Sequence, residues 1–99
     1  MSLKIEKKNE TPVTLALVGR LDTVTAPDLE AEMAALLETE NAVTLDMEKL
    51  EYISSAGLRV ILKTQKALSG KDGLKLKNVP EEVKEVFDIT GFSDFLTIE

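Results

Sequence analysis

The chain has 99 residues, 43% of them hydrophobic, which is enough for one compact core and too few for two domains. With 12 basic and 18 acidic residues the net charge is -6, so the average surface repels phosphodiester backbones and anionic headgroups, and neither nucleic acid nor membrane is an expected partner. The chain holds no cysteine and no histidine, which removes disulfides, thiolate metal ligands, a cysteine nucleophile and a Ser-His-Asp triad together.

Met1-Ser2-Leu3-Lys4 lacks the apolar run of a signal peptide, and no stretch approaches the roughly 18 apolar residues of a membrane span. A cytoplasmic protein is the expectation. Leu3 and Ile5, then Val13, Leu15 and Leu17, alternate with more polar neighbours and predict two strands joined across Lys8-Asn9-Glu10-Thr11-Pro12. Gly19 to Val24 carries turn-formers. Thr25-Ala26-Pro27-Asp28 approximates a capping box with proline near the first helical position, so a helix is predicted from about Pro27. Its residues Leu29, Met33, Leu36 and Leu37 share one face, and Asn41 is its predicted end.

A short buried strand is predicted over residues 42–46. Ser54-Ser55 then opens a second helix with Leu58, Ile61, Leu62 and Leu68 facing inward and Gly70 as its stop. Leu74 to Lys77 alternates like a strand. Pro80-Glu81-Glu82 starts a third helix that presents Val83, Val86 and Phe87 and ends at Gly91. Phe92, Phe95, Leu96 and Ile98 form an apolar tail with a last strand predicted over 96–98. The order implies an α/β sandwich with a mixed sheet of four to five strands and right-handed crossovers.

Catalytic readings fare badly. Ser54-Ser55-Ala56-Gly57 lacks the leading glycine of a nucleophile elbow, and no Ser-x-x-Lys pair occurs. Ser69-Gly70-Lys71-Asp72-Gly73 lacks the upstream glycine and the following hydroxyl of a P-loop, so it reads as a helix-ending turn. Asp22, Asp46, Glu48 and Glu51 could supply oxygen ligands to magnesium, but a solvated acidic surface accounts for them more simply. Asp46 at a predicted strand end also invites comparison with a phosphoryl-accepting receiver aspartate. The acidic pair and the lysine that complete such a site are missing. No enzyme activity, cofactor or metal is expected.

The loop between Ile53 and Leu58 is the remaining candidate. Its amides lie at the positive end of a helix dipole, where added negative charge is compatible with stability. A phosphoryl group on Ser55 would bring about -1.5 to -2 charges there. The plainer reading makes one serine an N-cap and Gly57 a packing glycine.

Asp46 through Leu58 resembles the signature of STAS domains in anti-sigma factor antagonists, and the whole of residues 1–99 is read as one such domain. Gly19-Arg20-Leu21-Asp22 with Thr25-Ala26-Pro27 is similar to the family's first characteristic turn, and Val83 to Phe92 to its closing helix. The resemblance implies a bacterial partner-switching regulator of transcription. Its unphosphorylated form binds an anti-sigma factor that is itself a serine kinase, and the sigma factor is released. Phosphorylation falls on Ser55 by position, with Ser54 the second candidate, and a metal-dependent serine phosphatase reverses it. Asp22 matches a turn aspartate near the family's binding surface, although it reads equally as a turn-stabilising residue. Arg59, Lys63 and Lys66 recur at helical spacing, and a basic stripe starting beside Ser55 suits an acidic partner. The expected partner-binding set is Asp22, Ser54, Ser55, Gly57, Arg59 and Lys63. The competing reading is a STAS adaptor subunit of a lipid-transport or sensory complex, in which Ser55 is only structural.

Overall fold

The computed structural model describes residues 3–99. In chain order the elements are β1 (Leu3–Lys8), β2 (Val13–Leu21), α1 (Ala26–Leu37), β3 (Ala42–Ile53), α2 (Ser55–Leu68), β4 (Gly73–Lys77), α3 (Glu81–Thr90), a 3₁₀ turn (Phe92–Phe95) and β5 (Thr97–Ile98). The sheet order follows the sequence, β1-β2-β3-β4-β5. β1 and β2 form an antiparallel hairpin, and every later pair is parallel. This is a mixed α/β fold with a five-strand sheet and three helices.

Register explains the core. Val13 lies opposite Val43 and Val43 opposite Leu74, while Leu15, Leu45 and Leu76 form the next row, so alternate positions of three strands present aliphatic side chains together. All six are buried, in one cluster with Leu29, Met33 and Leu36 of α1, Leu58, Val60, Ile61 and Leu68 of α2, and Val83 and Phe87 of α3. The intervening positions, Thr14, Thr44 and Lys75 and then Ala16, Asp46 and Lys77, share the opposite and more polar face. Each fully buried aliphatic or Phe side chain contributes about 1.5–3 kcal/mol. This inner face is therefore the main source of stability.

Both central strands are longer than the sequence pattern predicts. Register shifts between Ala16 and Val18 and between Gly19 and Arg20 are bulges, and they break the period-two alternation without ending β2 or β3. Gly19 takes φ +110° within the strand and does not form part of the turn. β2 accordingly continues to Leu21, confining the turn to Asp22–Thr25. β3 continues to Ile53, and the residues buried on it past the bulge are Leu50 and Ile53, three apart. The helix ends differ as well. α1 stops at Leu37, and the Asn41 carbonyl instead accepts hydrogen bonds from the amides of Asp72 (3.0 Å) and Gly73 (3.2 Å). Leu62 is half-buried and Phe95 is exposed, whereas Gly91 closes α3 in the left-handed conformation, as its position predicts.

Candidate partner-binding site

The parallel strands β2 and β3 end side by side, with Leu21 paired to Ile53, and their two exits form one surface. Ligand sites in parallel α/β sheets characteristically lie beyond such carboxyl ends. The exits are tied together by a hydrogen bond from the Ser54 amide to the Leu21 carbonyl, 2.9 Å. Gly57 sits directly behind. An added Cβ there would lie 2.6 Å from Leu21 Cγ and 3.1 Å from Ile53 Cγ1, so only glycine lets the start of α2 approach the strands this closely. Gly57 is buried. Although it falls in the expected partner-binding set, its place is to support the loop from beneath.

The two serines occupy different positions. Ser54 is the N-cap of α2, extended at φ -100° and ψ 174°, with its hydroxyl accepting from the Gly57 amide at 3.4 Å. Ser55 is the first helical residue and is exposed, and among the described residues its hydroxyl makes no hydrogen bond. The first turn of α2 carries no acidic residue, whereas α1 has Asp28 and α3 has Glu81 and Glu82 in theirs. The first turn of α2 thus supplies no acidic side chain of its own to the positive end of the dipole.

Asp22 organises the neighbouring turn. Its Oδ1 accepts from the amides of Val24 and Thr25, both at 3.0 Å, and its carbonyl accepts from the Ala26 amide at 2.8 Å. Thr25, expected to open a capping box, points inward instead. Its hydroxyl accepts from the Asp22 amide at 2.8 Å and shares its one proton between the Arg20 carbonyl (2.8 Å) and Asp22 Oδ1 (3.1 Å). The hydrogen bond from the Thr25 amide leads the influences on the Asp22 carboxyl. Partial desolvation opposes it, and the Thr25 hydroxyl, the Val24 amide and the Arg20 charge add to it, leaving the pKa below the ordinary carboxylate value.

Three further residues of this surface have little signal in the sequence. Arg20 faces Tyr52 across the β2–β3 register, and its guanidinium carbon lies 4.2 Å from the ring centroid, a cation–π contact. Arg20 Nε is also 3.9 Å from Asp22 Oδ2, so the ring, the guanidinium and the carboxylate form one chain of contacts. Tyr52 is 41% exposed, and Val24, at the tip of the Asp22 turn, is 81% exposed. The signal for Val24 is an aliphatic residue inside an otherwise polar turn. The Arg20–Tyr52 contact depends on a bulged register that no local pattern reveals.

Along α2 the expected basic stripe is present in part. Arg59, Lys63 and Lys66 are exposed, but Lys63 Nζ is 2.9 Å from Glu30 Oε2 of α1, an ion pair between helices. Asp46 lies in the middle of β3 and not at a strand end. There it accepts hydrogen bonds from Asn78 Nδ2 (3.1 Å) and the Glu48 amide (3.2 Å). Burial raises its pKa, but Asn78, the Glu48 amide and the charges of Lys77 and Lys8 outweigh burial and hold it below the ordinary value. Among the described residues no group of three or more acidic side chains is arranged to hold a metal ion, and no helix is long and apolar enough to cross a membrane.

Comparison with known proteins gives a consistent result. The chain is 31% identical over 100 residues to the anti-sigma-B factor antagonist of Bacillus subtilis, a match that covers 99% of this chain and 92% of that one. It is 46% identical over 78 residues to BtrV of Bordetella bronchiseptica, a protein assigned by name to the anti-sigma factor antagonists, covering 77% of this chain and 67% of that one. Among solved structures, an anti-sigma factor antagonist from Mycobacterium paratuberculosis superposes with a TM-score of 0.88 at 20% identity, over 97% of this chain and 84% of that one. SpoIIAA superposes at 0.76 in its unphosphorylated form and 0.73 in its phosphorylated form, at 18% and 19% identity, over 97% and 98% of this chain and 87% and 90% of those. The STAS domain family model matches residues 2–99, and the chain belongs to the STAS domain family.

Proposed function

We propose that this chain is an anti-sigma factor antagonist. Its unphosphorylated form binds an anti-sigma factor serine kinase and thereby releases a sigma factor, and phosphorylation of Ser55 switches that binding off. The observation that carries this reading is the division of labour between the serines: Ser54 serves as the cap, leaving the Ser55 hydroxyl exposed and unbonded at a helix start whose first turn holds no acidic residue. A phosphoryl group of about -1.5 to -2 charges is electrostatically favoured at that place. It changes what a partner meets and leaves the core untouched. The names of the relatives support the coarser assignment, and the two superpositions on SpoIIAA indicate that this fold accommodates a phosphorylated member.

Asp22, Val24, Arg20 and Tyr52 complete the contact surface around Ser55, and a metal-dependent serine phosphatase restores the binding form. The test is incubation of the full chain with ATP and candidate anti-sigma factor kinases, followed by mass spectrometry of the loop peptide and titration of each kinase. Phosphate on Ser55, lost binding after phosphorylation, and constitutive binding by Ser55→Ala are the expected results. Binding that is indifferent to Ser55 modification would instead support a STAS adaptor without a switch.

A further inference from the structure

A seam separates α1 from α2 on the surface of the molecule, and it begins at the Ser55 loop. Its upper hollow, about 320 Å³, is bordered by Thr23 and Ala56, the residues next to Asp22 and Ser55. A second hollow of about 100 Å³ continues it between Ala34 and Ala67. Val60, Glu30 and Lys63 border both, so the two hollows adjoin and the Glu30–Lys63 ion pair lies where they meet. The floor is apolar, with Met33 and Val60 both buried. From Ala56 to Ala67 the seam follows α2 for roughly 16 Å, three turns of helix.

Charge indicates what the seam can receive. Among the residues that border the two hollows, α2 contributes Arg59 and Lys63 and α1 contributes Glu30, a net positive lining on a chain whose net charge is -6. Among the described residues Arg59 makes no ion pair, and Lys63 is held only by an exposed pair, a type that contributes little and exchanges readily. We propose that the α1–α2 seam is the docking groove for an acidic amphipathic helix of the anti-sigma factor, an inference that rests on the functional reading above. Apolar side chains of that helix enter the two hollows, in the helix-in-groove manner. Its carboxylates meet Arg59 beside the upper hollow, and Lys63 exchanges Glu30 for a partner carboxylate. The same geometry accounts for the sign of the switch. Phosphate on Ser55 stands at the upper mouth of the seam and repels an acidic helix with no change of fold.

The test uses calorimetric titration of the full chain with the purified anti-sigma factor that wild type binds. Ala67→Trp fills the lower hollow from an exposed position and should weaken binding by about tenfold or more with melting unchanged. Ala35→Trp, exposed on α1 outside the seam, should bind as wild type does. Glu30→Gln frees Lys63 and should tighten binding about two- to fivefold. If Ala67→Trp does not fold, Ala34→Trp fills the seam from the other wall. Normal binding by the Trp variants, together with loss of binding in Ser55→Asp, would overturn the groove and leave the functional reading standing. Weaker binding by Glu30→Gln would overturn the acidic occupant. Self-association of wild type that Ala67→Trp abolishes would make the seam an interface between copies and likewise overturn it. No binding by wild type to any anti-sigma factor would remove the functional reading, and the groove with it.

Discussion

Asp22 shows how a single side chain fixes the shape of this surface. Its carboxylate gathers two backbone amides, so Val24 is held outward on a turn with little freedom left to lose when a partner arrives. Because the folded state lowers its pKa, Asp22 contributes stability that is fully present above the ordinary carboxylate value and is lost as pH falls through the lowered one. Asp22→Asn keeps an oxygen acceptor but cannot titrate. Its denaturation midpoint should therefore fall less steeply than that of wild type below about pH 4, measured by urea titration at a series of pH values. Identical acid limbs would show that the turn does not depend on the charge. Asp22 and the Ser54-Ser55 pair were readable in the sequence because caps and turns are local chemistry. Which serine caps and which stays free was not, since that depends on one residue of phase at the start of α2.

At the scale of elements, the close approach of α2 to the ends of β2 and β3 ties the Ser54–Ser55 loop to Leu21, the residue that precedes the Asp22 turn. Gly57 makes that approach possible, and Gly57→Ala brings a methyl group within 2.6 Å of Leu21 Cγ. A cost of about 1–3 kcal/mol is expected from overpacking, read as a lower urea midpoint with unchanged slope. Partner affinity should fall with it, because relief of the clash moves the loop. Helix faces were legible from their period, as Leu29, Met33 and Leu36 illustrate. Strand lengths were not. Two bulges shift the register of β2 against β3, so the inward residues Met47, Leu50 and Ile53 fall three apart and imitate no strand pattern. The Arg20–Tyr52 stack and the Glu30–Lys63 pair were hidden for a related reason: each joins separate elements, and only the assembled register brings them together.

For the molecule as a whole, the core and the proposed switch residue are separate. The buried cluster draws on β2, β3, β4 and all three helices, and the exposed Ser55 is not part of it. Ser55→Asp should consequently melt within a few degrees of wild type by circular dichroism while its affinity for the anti-sigma factor drops by at least about tenfold. A collapse of the fold in this variant would contradict the proposal that negative charge is tolerated at the start of α2. The fold class was legible from element order, since a hairpin followed by alternating helices and strands admits few arrangements. The charge asymmetry of α2 was also legible, but its relation to a seam required the packing of α1 beside it.

The direction of β1 bears on how the protein is handled in the laboratory. Leu3 pairs with Gly19, only two residues before the end of β2, so the chain enters the fold near the same edge from which the Ser55 loop emerges. The offset is roughly 7 Å along the strands and roughly 10 Å across two strand spacings. An affinity tag or fluorescent protein joined ahead of Leu3 would hang beside the proposed partner-binding surface and would crowd an arriving partner. Joined after β5, whose Ile98 lies level with Leu76 and Leu45, the same cargo would leave the sheet well short of the Ile53 end of β3.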